Sequence, residues 1–241
     1  MYQPIIAWED IRHLPLPDLA IKLLVAQTNN SAPNLHSTLR GLEAALRDAP
    51  QRDGNELMAR IADAWAWLEA HALLAKHPVQ YQVQGNWQRV TERGRELVDD
   101  PKAIAKVWAD DRLAGPLSPL LDSARSNFAM GDYETASFAA MKAVEVEVRR
   151  VAELPNELLG VNLMRKAFSP KDGLLRDPAA EGGEQQATAD LFAGAIGAFK
   201  NPASHRTVRF DDPFEAAEIL QLADLLLRIV RRAERRTQTK K

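Results

Sequence analysis

The 241-residue chain contains no cysteine. Disulfides and thiolate metal sites are therefore excluded, which fits a reducing compartment. Aromatic residues make up only 6% of the sequence, so any core must be built mainly from Leu, Val, Ile and Ala. No apolar run approaches a membrane span, and no basic stretch followed by an apolar run opens the chain, so the sequence predicts a cytoplasmic protein without membrane contact. A strong charge of either sign is also missing. The formal net charge is −2, so a nucleic acid would need a local basic patch. There is no Gly-rich phosphate loop, no His-Glu-x-x-His metal motif and no internal repeat. No cofactor or metal is expected. His71 and His77 straddle a predicted helix end, and His13 and His36 stand alone, so none of them suggests a ligand pair.

What the sequence does have is helical periodicity. Residues 1–16, with Pro4 and Pro15, read as an extended or partly ordered arm. Helices are predicted over 18–27 (Leu19, Leu23, Ala26), 35–46 (Leu35, Leu39, Leu42, Leu46) and 55–74 (Leu57, Ile61, Ala64, Trp65, Leu68, Ala72). The period then changes to two, with Val79, Tyr81 and Val83 alternating with glutamines. Gly85-Asn86 reads as a turn and 87–90 as a return strand, with Thr91 opening another helix. Trp65, Trp67, Trp87 and Trp108 are assigned to the core of this half and its interface.

Residues 101–116 read as a linker, helical over 103–108, and 117–241 as an all-helical second domain. Its helices are predicted over 117–130, 132–152 (Asp132 as N-cap), 161–168 and 185–199. A last helix opens on the capping box Asp212-Pro213-Phe214-Glu215. On the long helix, Tyr133, Ala140, Val144, Val148 and Val151 form one face. A wheel at 100° per residue puts Glu147 inside that face and Glu145, Arg149 and Lys142 outside it. Glu147 is expected either in a structural ion pair or facing a cleft shared with Lys200 or Arg206. The Gly-rich segment 169–183 is a predicted loop. The tail from Arg228 to Lys241 is basic, which suits the helix dipole and is the strongest electrostatic attraction for RNA in the chain.

Chemically capable side chains concentrate at Lys200-Asn201-Pro202-Ala203-Ser204-His205-Arg206, after an Ala-rich helix. A histidine titrates near neutrality and serves as acid or base. Lys200 and Arg206 beside it could stabilise phosphate charge, and Asn201 could orient the imidazole or hold a phosphate oxygen. Ser204 has no acidic orienter close in sequence and no flanking nucleophile-elbow glycines, so it is assigned a supporting place rather than a nucleophile's. Capping of a backbone carbonyl is the structural alternative for His205.

The run resembles the Arg-x4-to-6-His signature of the HEPN superfamily, with a polar residue after the basic one. Residues 115–236 carry the likeness further through the corner Gly131-Asp132-Tyr133 and the run Lys142-Ala143-Val144-Glu145. Asn201-Pro202-x-x-His205 is similar to the core of the uncharacterised Ymh-type group found near phage-defence genes. Residues 15–100 resemble a winged-helix domain, a fold that often binds DNA, although the predicted wing is mostly glutamine. The resemblance implies a mainly α protein: a winged-helix-like domain at 1–100 with a small β-hairpin, a linker, and a HEPN-like bundle at 117–241. It implies a metal-independent endoribonuclease of the toxin or abortive-infection type. His205, Lys200, Asn201 and Arg206 would be catalytic, with Glu147, Glu145 and Ser204 supporting. RNA would be the substrate, DNA or protein a possible partner of 15–100, and a homodimer or higher oligomer the working form. One departure from the signature is Lys200 in the arginine position, because lysine lacks the planar fork that grips phosphate at two points. The alternative is a non-catalytic nucleic-acid-binding or regulatory protein that keeps the fold. A third class is a structural oligomer whose motif merely ties helices together.

Overall fold

The computed structural model describes residues 6–30, 32–45, 51–78, 87–100, 103–200 and 211–238. Among them the protein is mainly α, with eleven α-helices and one antiparallel strand pair. The chain divides into two compact units, Met1–Ile104 and Ala105–Lys241.

In the first unit α1 (Trp8–His13), α2 (Leu16–Gln27) and α3 (Leu35–Ala45) pack on α4 (Gln51–Ala70). The core is aliphatic, with Leu19, Leu23, Leu24, Ile61 and Leu68 fully buried and Trp65 among them. The expected extended arm is a helix over 8–13 instead. Ile11 buries completely, and Arg60 donates to the carbonyls of Ile11 and Leu14, supplying partners for acceptors that a helix end leaves open.

The helix predicted to reach Leu74 stops at Ala70. Ala72 takes a left-handed conformation (φ 54°), and the N–H groups of Leu73 and Ala72 donate back to Leu68 and Glu69. This is a Schellman closure, with Leu73 and Leu68 both buried across it. It frees Leu74 to enter a strand. β1 (Leu74–Lys76) pairs antiparallel with β2 (Gln88–Val90), Leu74 opposite Val90. The alternating run 79–83 and the turn Gly85-Asn86 lie outside the described residues, as do Leu46 and the linker's first two positions. α5 (Glu92–Asp99) follows, its Thr91 cap accepting from the Gly94 N–H at 3.0 Å. A Cβ on Gly94 would stand 2.5 Å from the Leu73 carbonyl oxygen, so glycine is required where α5 meets the Leu73 backbone.

In the second unit α6 (Ala103–Leu113) runs well past the predicted helical stretch and gives Ala109 and Leu113 to the core. A 3-10 turn (Pro119–Leu121) leads into α7 (Asp122–Ala129), and the Gly131 corner into α8 (Tyr133–Val151). The Asp132 carboxylate accepts the Thr135 N–H at 3.1 Å, so the capping expectation holds. α9 (Gly160–Ala167), a loop and α10 (Gly182–Ala195) follow, and α10 passes directly into one π-turn, Ile196–Lys200. α11 (Pro213–Gln238) starts at the predicted capping box, with the Asp212 carboxylate accepting from the Phe214 N–H at 2.9 Å. α8 is the central element, packed against α7, α9, α11 and the π-turn. Phe168 and Phe192 stack 4.0 Å apart between α9 and α10. Leu191 on α10 is exposed. No helix among the described residues is long and apolar enough to cross a membrane.

Candidate functional site

The site begins with the width of α8's buried face. Of the five-residue stripe read from the sequence, Ala140, Val144, Val148 and Val151 are buried and Tyr133 is partly buried, but Ser137, Met141 and Glu145 are buried as well. A helix enclosed by α7 and α11 on one side and by α9 and the π-turn on another buries a broader arc than a single stripe suggests. The assignment of the two glutamates is therefore corrected. Glu145 faces the interior, and Glu147 sits at the rim.

Glu145 is 4% exposed and uses both carboxylate oxygens. Oε2 accepts from Lys200 Nζ at 2.9 Å and from the Gly160 backbone N–H at 3.1 Å. Oε1 accepts from Arg149 Nη2 at 2.9 Å, one helical turn on. Arg149 also donates to the Leu158 carbonyl at 3.3 Å, which ties α8 to the segment before α9. Burial by itself pushes the Glu145 carboxyl up. The hydrogen bond and charge of Lys200, the Gly160 N–H and Arg149 together outweigh it and hold the carboxyl below the usual glutamate range. Two cations around one carboxylate leave this cluster one positive charge in excess.

Lys200 is the last residue of the π-turn. Such single turns are rare and concentrate at functional sites. The turn shifts the register by one residue at the end of α10. Gly160 takes φ +60°, a conformation unfavourable to any side chain, as its N–H meets Glu145.

Glu147 instead accepts twice from Arg150 (2.7 and 2.8 Å), and Arg150 reaches Glu234 on α11 at 2.8 Å. The Arg150 hydrogen bonds hold the Glu147 carboxyl below its ordinary value against a smaller opposing effect of burial. This matches the structural ion pair expected as one of its two roles. Asn201, Ser204, His205 and Arg206 lie outside the described residues.

Arg149 and Gly160 were not picked out as site residues by the sequence. The Glu145–Arg149 spacing of one helical turn was a usable signal for the first, whereas nothing short of the fold connects Gly160 to Glu145. Among the described residues no group of three His, Asp or Glu side chains gathers in a way that could hold a metal ion.

No curated protein and no solved structure matches the chain. Residues 118–230 match the family model described as "Protein of unknown function (Hypoth_ymh)", in line with the Ymh-type likeness of the sequence, and the matched segment contains α8, the π-turn and the whole Lys200–Arg206 run.

Proposed function

We propose that the protein is a metal-independent endoribonuclease of the toxin or abortive-infection kind, cytoplasmic and working as a homodimer or higher oligomer. The observation that carries this reading is the buried Glu145–Lys200 pair. It anchors a cation immediately before the Asn201–Arg206 run, at the end of a π-turn. An ammonium fixed in this way is pre-organised for charge developing on phosphate, with Arg149 beside it.

The chemistry follows from the residue types. A base takes the proton of a ribose 2′-OH, the 2′-oxygen attacks the adjacent phosphorus, and the P–O5′ bond breaks as O5′ gains a proton. The products are a 2′,3′-cyclic phosphate and a 5′-hydroxyl. His205 fills the base or the acid role, while Lys200 and Arg206 stabilise the phosphorane and Asn201 orients the imidazole or a phosphate oxygen. DNA lacks the 2′-OH, so cleavage is selective for RNA. The winged-helix-like reading of the first unit gives it a partner-binding role, toward DNA or protein.

A second reading draws on the same pair. Lys200 is engaged by Glu145 and lacks the arginine fork, as expected of a HEPN-like fold that has lost catalysis and kept nucleic-acid binding or regulation. The two separate in one experiment, incubation of labelled RNA in EDTA with wild type and His205→Ala. Cleavage by wild type alone, leaving cyclic phosphate ends, supports the nuclease. A folded wild type that cleaves nothing but binds nucleic acid in a salt-sensitive way supports the regulator.

A further inference from the structure

The second unit carries another cation-rich hollow that the Lys200 chemistry does not use. It is a cleft of about 570 Å³ between the end of α6, the loop after it and α11. Arg112, Arg228 and Arg231 line it together with Asp224, Ser118 and Gln221. Its floor is built around Asp224, which is 6% exposed. Asp224 Oδ1 accepts the Ser118 backbone N–H at 2.8 Å, and Oδ2 forms an ion pair with Arg228, 3.0 Å from its Nε.

Each arginine is fixed at one point and keeps donors in hand. Arg228 spends its Nε on Asp224, and its side chain is otherwise 59% exposed. Arg231 leans on the Ser118 hydroxyl at 3.5 Å. The Arg112 guanidinium lies 3.7 Å over the Phe214 ring, with the exposed Glu218 carboxylate 3.8 Å away. Arg228 and Arg231 are three residues apart on α11 and therefore share a face. Three guanidinium groups against two carboxylates, Asp224 in the lining and Glu218 beside Arg112, leave one positive charge in excess. A single carboxylate ligand would occupy one fork. An anion with several oxygens at tetrahedral geometry can engage two or three.

We propose that this cleft is a phosphate-binding site, taking a phosphate group carried by a free small molecule or by an RNA chain. The Asp224–Ser118 tie holds the loop, Arg228 and Arg231 grip one phosphate, and Arg112 reaches a second. None of the described lining residues belongs to the Glu145–Lys200 cluster.

The test is calorimetric titration of the full chain with inorganic pyrophosphate, and separately with a short single-stranded RNA. The proteins are wild type, Arg228→Gln/Arg231→Gln, Arg112→Gln and a control, Arg125→Gln/Lys171→Gln, that removes equal charge at exposed positions outside the cleft lining. Saturable binding that falls at least about tenfold in the cleft variants and not in the control is the expected result, since a lost charge-assisted hydrogen bond is worth about that factor. Pyrophosphate binding identifies a small-molecule phosphate, and binding of RNA alone identifies a chain phosphate. Arg112→Gln leaves the Asp224 contacts untouched, which separates lost binding from a disturbed loop. Binding of neither probe, or equal losses in cleft and control variants, overturns the proposal.

Discussion

Lys200 Nζ lies 2.9 Å from Glu145 Oε2, joining residues 55 apart in the chain inside a part-buried pocket. The partners are not equivalent. Glu145 keeps Arg149 and Gly160 if the lysine is lost, whereas Lys200 and Arg149 both lose the carboxylate they share if the glutamate is lost.

Glu145→Ala should therefore destabilise the second unit by about 3 kcal/mol, and Lys200→Met by clearly less. The double variant should cost less than the sum of the two. Urea unfolding of the three variants measures this order, and a Lys200→Met penalty equal to or above that of Glu145→Ala would falsify the arrangement.

The same carboxylate makes stability depend on acid. Its folded pKa is lowered below the ordinary glutamate value of 4.5, so the ionised form is favoured in the native state. The stabilisation is complete above that value and is lost as pH falls through it toward the folded pKa. Wild type should lose more unfolding free energy than Glu145→Gln between about pH 6 and about pH 3. Parallel pH profiles for the two proteins would contradict this.

Two helices close with left-handed residues that carry side chains, Ala72 (φ 54°) after α4 and Glu153 (φ 52°) after α8. The corner after α7 uses Gly131 (φ 79°) for the same hydrogen-bond pattern. Ala72→Gly should raise stability by up to about 1 kcal/mol, because glycine removes the Cβ penalty of that conformation. Gly131→Ala should lower it by a similar amount. Thermal melts read both, and a lower melting temperature for Ala72→Gly would argue against the Schellman closure of α4.

Ser137 buries its hydroxyl in α8 without a hydrogen-bond partner among the described residues. Replacing it by alanine removes an unsatisfied polar group with little change in volume. Ser137→Ala should be neutral to stabilising, by up to about 1 kcal/mol. A loss above that size would reveal a partner for the hydroxyl.

Much of this architecture was legible in the sequence because it is local. Asp132 and Asp212 cap the helices they were expected to cap, since a cap needs only its own next two or three residues. The apolar repeats located α4 and α8 because a helix advertises its buried face at fixed spacing. What was misread depended on neighbours distant in the chain. Residues 8–13 became helical where Arg60, on α4, could serve the carbonyls at their end. Leu74 left its helix for a strand once Leu73 could close the turn and Val90 stood opposite. Glu145 rather than Glu147 turned inward because α9 and the π-turn cover a flank of α8 that periodicity cannot see.

The sequence alone determined that residues 117–241 hold amphipathic helices and that Lys200 heads a run of chemically capable side chains. Only the tertiary structure decided which acid meets that lysine. A carboxylate is buried where cations and a backbone N–H converge on it, and those donors come from α8, α9 and the π-turn together.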